Sequence, residues 1–310
     1  MMGRRRKPRG RRFDGVLLLD KPQGITSNAA LQTVKRIYNA DKAGHTGSLD
    51  PLATGMLPIL FGEGTKLSRL LLEADKVYTT VAKLGVTTDS GDSDGEVLET
   101  KAVPSFTDEQ IETVLAGFRG EGEQIPSMFS ALKKDGKKLY ELAREGIEVE
   151  REPRPIHIFE LTMTDRGDDW IALRVHCSKG TYVRTLVEDI GQALDCGAHV
   201  VELRRTDVAG FDASRMVTLD HLNALRDERE FEAMDQLCGP IESLADHLPR
   251  FELTAEEVSW IVQGQSLIIP GAPTKGDLAL VDSQGHLVAL GAMADDGRIG
   301  PTRLLVSTGQ

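Results

Sequence analysis

The sequence predicts an α+β protein in two parts, a mixed helix–strand body followed by a small β-rich tail. Up to about residue 250, apolar runs that suit strands are interleaved with amphipathic segments that carry helix caps. Beyond Pro249 the apolar runs shorten, at 278–281, 287–292 and 304–306, with Gly, Pro and Asp between them. Short strands with frequent turns suggest a small barrel. At 310 residues the chain is long enough for two domains.

Composition narrows the class. Forty per cent apolar and 27% charged residues describe an ordinary soluble globular chain, and no apolar run approaches the length of a membrane span. Cys177, Cys196 and Cys238 are too few and too scattered for a disulfide framework or a zinc site. A reducing cytoplasm is the expected compartment. The net charge of −11 argues against indiscriminate nucleic-acid binding. Basic residues nevertheless cluster, as Arg4, Arg5, Arg6, Lys7, Arg9, Arg11 and Arg12, and again as Lys133, Lys134, Lys137 and Lys138. An acidic body with local basic strips can still follow phosphates.

Residues 1–12 lack apolar periodicity and read as a disordered basic tail. Residues 13–20 read as a strand. Pro22 and Gly24 then make a turn, and Thr26 or Ser27 caps a helix reaching Tyr38. Residues 44–55, GHTGSLDPLATG, hold three glycines and a proline in twelve positions and read as a shaped loop. Pro51 suits a first helical turn. Asp50 would then be its N-cap, with its carboxylate held ionised by free backbone N–H groups. Taken alone, an Asp-Pro is read better as a plain capping aspartate in a turn than as a nucleophile, since short motifs mislead.

Further along, residues 56–61 are strand-like and 66–74 helical. Residues 62–66 lack the spacing of a phosphate-binding loop, so no nucleotide cofactor is expected. Tyr78 opens a strand over 77–84. The acidic stretch 89–96 fails as a calcium loop, because Ser90 and Lys101 would fill its end positions. Residues 106–118 form an amphipathic helix starting near Thr107 or Asp108. Trp170 to Cys177 alternates as a strand; if extension continues, Tyr182 and Arg184 share one face. His199 reads as structural. Residues 212–250 are mixed helical, and 253–262 form a helix.

Several of these stretches together resemble the TruB family, the bacterial tRNA pseudouridine-55 synthases. The loop 44–55 matches its catalytic pattern, with Ser48 for the usual Thr. Further matches are DKPQGITS at 20–27, DKVY at 75–78 and the lysine-bearing stretch 124–144. CSKGTYVR at 177–184 and the segment 197–205 complete the set. The resemblance covers roughly residues 13–210. Phe129 stands where the family often has Tyr. The resemblance implies a mainly antiparallel sheet flanked by helices over 13–250, with an RNA-clasping thumb at about 123–155. It also implies a PUA-like RNA-binding barrel over 251–310.

The family further implies Asp50 as nucleophile, Arg184 as its ion-pair partner, and Tyr78 as stacking residue and proton acceptor. His45, Tyr182 and Leu203 would surround the substrate, and the lysines at 133, 134, 137 and 138 would contact the RNA backbone. The substrate implied is uridine 55 in the T-loop of tRNA, recognised through the T-arm by a monomer. The reaction exchanges a C1′–N1 bond for a C1′–C5 bond without redox change, so no cofactor or metal is expected. The pocket must hold a flipped base. Tyr78 is a poor base unless Arg184 lowers its pKa, as expected. His45 stands as the alternative base, although the family gives it contact with the nucleotide and not the proton. A non-catalytic RNA binder and an aspartate-dependent hydrolase are the rival readings. The intact Asp50, Tyr78 and Arg184 set weighs against the first. The lack of a metal spacing or a nucleophile elbow weighs against the second.

Overall fold

A computed structural model describes residues 10–130 and 132–305. Its centre is a nine-stranded sheet. In order across the sheet, eight strands are Val217–Thr218, Gly15–Lys21, Thr54–Phe61, Ala198–Val208, Lys76–Leu84, Trp170–Cys177, Arg154–Arg166 and Gly120–Gln124. The ninth, Ala43–His45, pairs alongside Thr54–Phe61. Two neighbouring pairs are parallel, Gly15–Lys21 with Val217–Thr218 and Thr54–Phe61 with Ala198–Val208. The rest are antiparallel, as expected.

Strand alternation assigns the two faces of this sheet. Leu17, Leu19, Leu57, Ile59, Leu173 and Val175 point to one side, where the helices Ser27–Ile37, Asp108–Ala116 and Val183–Ala193 cover them. Val16, Leu18, Met56 and Leu60 point to the other, toward Ala279, Val281, Leu287, Leu290 and Leu305 of the C-terminal part. The tail therefore shares a core with the body. It forms an open four-stranded sheet in the order Arg250–Glu252, Asp277–Val281, Leu287–Met293 and Ile299–Leu304. The expected barrel is not closed among the described residues: the far side of Ile299–Leu304 makes a single bridge, from Ile299 to Leu267, and no ladder to Arg250–Glu252, which is just three residues long.

Helix boundaries follow side-chain capping. Thr26, not Ser27, caps the first helix, its Oγ1 accepting from Ala29 N–H at 3.1 Å. Thr107 and Gln110 form a reciprocal capping box on the third. The helix expected over 66–74 is a 3₁₀ turn, Gly62–Leu67, followed by Ser68–Glu73. The helix expected from 253 starts at Ala255, after Thr254 caps it. The last strand lies earlier than 304–306, at Ile299–Leu304, and residue 306 lies outside the described residues.

Three further expectations need correction. The part of the tail that is described, residues 10–12, is fixed to the body. Arg11 N–H donates to Asn39 O, and its guanidinium pairs with Asp235 at 2.5 Å; residues 1–9 lie outside the described residues. No helix begins at Pro51, so Asp50 is not an N-cap. Nor does extension continue through Arg184: the chain turns at Tyr182, the N-cap of Val183–Ala193, and Arg184 sits in the first helical turn. Alternation beyond Cys177 fails there because Gly180, at φ +80°, reverses the chain.

Gly55 shows how tightly the central strands approach. Its φ is +97°, and a Cβ there would lie 2.2 Å from Arg205 O on the adjoining strand. Gly55→Ala combines left-handed strain with a backbone clash and is expected to cost more than about 2 kcal/mol. Urea unfolding measures this; a loss below half that value would mean that the two strands separate easily.

Candidate active site

The loop between His45 and Thr54 carries Asp50, and its shape is imposed from three sides. Leu49 N–H donates to Ser27 Oγ at 2.7 Å, and the Ser27 hydroxyl donates back to Leu49 O at 3.0 Å. Pro51 O accepts from Gly24 N–H at 2.8 Å and lies 3.5 Å from Lys21 Nζ. Lys21 is fully buried, and its ammonium also donates to Pro22 O and Ile25 O. Burial pulls its pKa down to about 8, against the pull of Asp50. Arg205, 1% exposed, donates from Nε to Met56 O and from a terminal nitrogen to Gly47 O, spanning both shoulders of the loop. Asp50 is thus held at the crest of a pinned turn.

Arg184 meets it there. The Arg184 Nε lies 2.9 Å from Asp50 Oδ2. Its other nitrogens donate to Ser90 O at 2.5 Å and Phe129 O at 2.8 Å, and Asp92 Oδ2 lies 3.6 Å away. The arginine side chain is 4% exposed, whereas that of Asp50 is 41% exposed and opens into a cavity. Burial beside the cavity walls pushes the Asp50 carboxyl above its ordinary range; Arg184 opposes this, Asp92 adds to it and Lys21 opposes it. The ionised form therefore rests on cations and not on the helix N-terminus expected from Pro51.

The cavity, of about 220 Å³, is walled by Asp50, Tyr78, Tyr182, Arg184 and Leu203, together with Ser130 and Thr181. Five of the expected residues thus meet in one place. The hydroxyls of Ser130 and Thr181 are buried, Ser130 beside the Tyr182 phenol and Thr181 beside the Cys177 thiol. Tyr78 is 9% exposed, and burial pushes its phenol up; Arg205 is the chief group pulling it down. Arg205 stands directly across from Tyr78 in the strand register. The cation against the phenol is therefore Arg205, not Arg184 as expected, and the net direction is upward.

His45 is not on the cavity wall. It ends the Ala43–His45 strand, with its Nδ1 buried and without a hydrogen-bond partner among the described residues. Burial, with help from Arg205, pulls its pKa down, which favours the neutral ring. The four lysines lie outside the cavity. Lys133–Lys134 and Lys137–Lys138 face each other as a two-residue hairpin around Asp135 and Gly136, both with positive φ. Residues 125–153, which contain this hairpin, leave the sheet after Gln124 and return at Arg154.

Sequence reasoning misses four contributors. Arg205 is legible in principle, since it alternates with Leu203 on one strand. Asp92 lies in an acidic stretch that gives no sign of which carboxylate turns inward. Lys21 and Gln124 sit in matched motifs without an assigned role.

Glu188 lies one helical turn beyond Arg184, and a Cβ on Gly91 would come within 2.8 Å of its carboxyl carbon. Burial lifts Glu188 to about 7, against the pull of Arg184. A folded value above the unfolded one means that the folded protein binds the extra proton between about pH 4.5 and 7. Stability falls as pH rises through that window, and the full cost is present above it. Glu188→Gln should gain on the order of 2 kcal/mol at pH 8 and almost nothing at pH 4. Denaturant titrations at both values test this; a gain independent of pH would contradict it.

Similarity to known proteins identifies the family. "TruB family pseudouridylate synthase (N terminal domain)" matches residues 35–183. "tRNA pseudouridylate synthase B C-terminal domain" matches 184–246, and "Pseudouridine synthase II TruB, C-terminal" matches 249–305. The chain is 51% identical over 312 aligned residues to tRNA pseudouridine synthase B of Vibrio vulnificus (strain YJ016), covering 98% of each. It is 52% identical over 297 residues to that of Stutzerimonas stutzeri (strain A1501), covering 96% and 97%. Among solved structures, a chain of a Cbf5-Nop10-Gar1 complex superposes with TM-score 0.74 at 27% identity, covering 94% of this chain and 84% of that one. A chain of an H/ACA RNP bound to a substrate RNA containing 2′-deoxyuridine gives 0.71 at 25%, covering 94% and 85%. With matches along its whole length, the chain belongs to the TruB family of pseudouridylate synthases.

Proposed function

We propose that the protein converts uridine 55 in the T-loop of tRNA to pseudouridine, with Asp50 as nucleophile and without a cofactor. One observation carries the reading: a carboxylate fixed by a buried arginine opens into a cavity walled by two tyrosines and a leucine. The reaction breaks the bond from C1′ to N1, turns the base, and joins C1′ to C5. N1 ends with a proton and C5 loses one, so atoms balance and no electrons leave. An aspartate at the crest of a pinned loop can attack C1′ or C6 of the bound nucleotide. Tyr78 and Leu203 hold the base between them while it turns, and Tyr182 closes the side next to Arg184. The buried hydroxyls of Ser130 and Thr181 suit the polar edge of a flipped uracil.

Proton removal from C5 is assigned to Tyr78. Its phenol begins above the ordinary value, so Arg205 is the group that makes the phenolate attainable. His45, its pKa lowered by burial toward the neutral ring, contacts the nucleotide and takes no proton. The 123–155 segment clasps the T-arm, its lysine hairpin following the phosphates. Residues 251–310 act as a PUA-like RNA-binding module beside the 13–250 catalytic domain. The enzyme works as a monomer in the cytoplasm.

Asp50→Asn keeps the side-chain size and removes the nucleophile. It should abolish pseudouridine formation while melting and binding of a T-arm stem-loop stay near wild type. Direct mapping of pseudouridine in treated RNA decides this, and turnover at the normal rate would overturn the assignment.

Replacing Lys133, Lys134, Lys137 and Lys138 together by Gln should raise KM more than it lowers kcat. Three of them make weak polar interactions within the protein, Lys134 with Glu150 O, Lys137 with Glu145 and Lys138 with the Tyr140 hydroxyl. For every lysine–phosphate pairing that the substitutions remove, the salt dependence of binding should flatten by a slope of about 0.7 to 0.9. An unchanged slope would show that the hairpin faces solvent in the complex.

A further inference from the structure

Gln124 ends the Gly120–Gln124 strand, where the chain departs for residues 125–153. It is 5% exposed, and its carboxamide makes two hydrogen bonds to one residue. Tyr182 N–H donates to Gln124 Oε1 at 2.8 Å, and Gln124 Nε2 donates to Tyr182 O at 3.1 Å. A side-chain amide that meets both main-chain groups of one residue imitates a strand neighbour. Tyr182 is the N-cap of Val183–Ala193 and makes no side-chain cap of its own. The start of that helix is therefore held from outside, by Gln124.

Arg184 stands two residues beyond Tyr182. Five residues beyond Gln124, Phe129 O accepts from the Arg184 guanidinium at 2.8 Å. The root of the 125–153 segment consequently grips the arginine twice, once through the backbone at Tyr182 and once at the guanidinium. Ser130, the next residue, lines the cavity.

We propose that Gln124 is a positioning residue that couples the placement of the 125–153 segment to the Asp50–Arg184 pair. RNA that engages the lysine hairpin thereby sets the geometry of the catalytic carboxylate as well as its own docking. The coupling deepens the reading given above and rests on it for the reaction, though not for the contact between Gln124 and Tyr182.

The test uses full-length Gln124→Met, which keeps the length of the side chain and removes both hydrogen bonds. Gln124→Glu, which keeps the acceptor for Tyr182 N–H, accompanies it. Amide hydrogen exchange at Tyr182 should quicken by at least about tenfold in Gln124→Met. Its single-turnover rate on a T-arm stem-loop should fall about ten- to a hundredfold, as expected for two buried hydrogen bonds. Its Kd should stay within about threefold of wild type. The acid limb of its rate profile should move in the same direction as that of Arg184→Lys, a response that a purely structural role would not give. Gln124→Glu should fall between wild type and Gln124→Met, and it carries the test if the Met variant melts early. A single-turnover rate within about twofold of wild type, or weakened binding with an unaltered rate, overturns the coupling. If the wild-type protein forms no pseudouridine, the proposed function falls. The Tyr182 exchange then still decides, because unchanged exchange in Gln124→Met overturns the positioning role.

Discussion

The site depends on one buried guanidinium. Arg184 brings together four stretches far apart in the chain: the Asp50 loop, the 89–96 loop through Ser90 O and Asp92, the root of the 125–153 segment through Phe129 O, and its own helix. A buried cation is tolerable only when its donors are used and its charge is met. Here carbonyls take two of the donors and a carboxylate takes a third. The partner left partly exposed is Asp50, so the pair is complete on the protein side and open on the side of the cavity. Lysine could not do this, because a single ammonium lacks the planar fork that reaches several acceptors at fixed angles.

The pinned loop and the buried arginine solve different parts of one problem. Ser27, Lys21 and Arg205 fix the backbone on either side of Asp50, so little freedom remains there to be lost on binding substrate. Arg184 fixes the carboxylate itself. Its field opposes the burial that raises the carboxyl, and Asp92 works on the side of the burial. Rigid placement and charge balance thus come from separate residues on separate elements. Placement by a supporting shell is what holds a reactive group to within about half an ångström.

Much of this is legible in the sequence, and the limits have physical causes. Strands and caps with strong local signals are readable, as with Thr107 and Gln110 or the alternation of Trp170 to Cys177. The antiparallel arrangement comes through resemblance and not through periodicity, because pairing partners are set by long-range contacts. The helix expected at Pro51 fails because Pro51 O is drawn to Gly24 and Lys21, a tertiary demand that local propensity does not see. Arg184 reads as extended only while a strand pattern is continued past Gly180, whose positive φ ends it. The acidic loop 89–96 offers six ionisable or hydroxylic side chains of similar character. Only the approach of Arg184 selects Asp92 among them.

The two buried arginines also divide the electrostatic work of the pocket. Arg184 serves Asp50 and Arg205 serves Tyr78, although the sequence suggests that one arginine would serve both. Strand register makes the division, since Arg205 stands across from Tyr78 while Arg184 enters from a helix. Under the proposed mechanism this matters for the order of events. The carboxylate must be charged when it attacks, and Tyr78 must carry the phenolate when it takes the proton that leaves C5. A single shared cation would stabilise both anions at once and weaken its hold on each. Separate cations let each charge be set on its own, Arg184 opposing the burial that raises Asp50 and Arg205 opposing the burial that raises Tyr78.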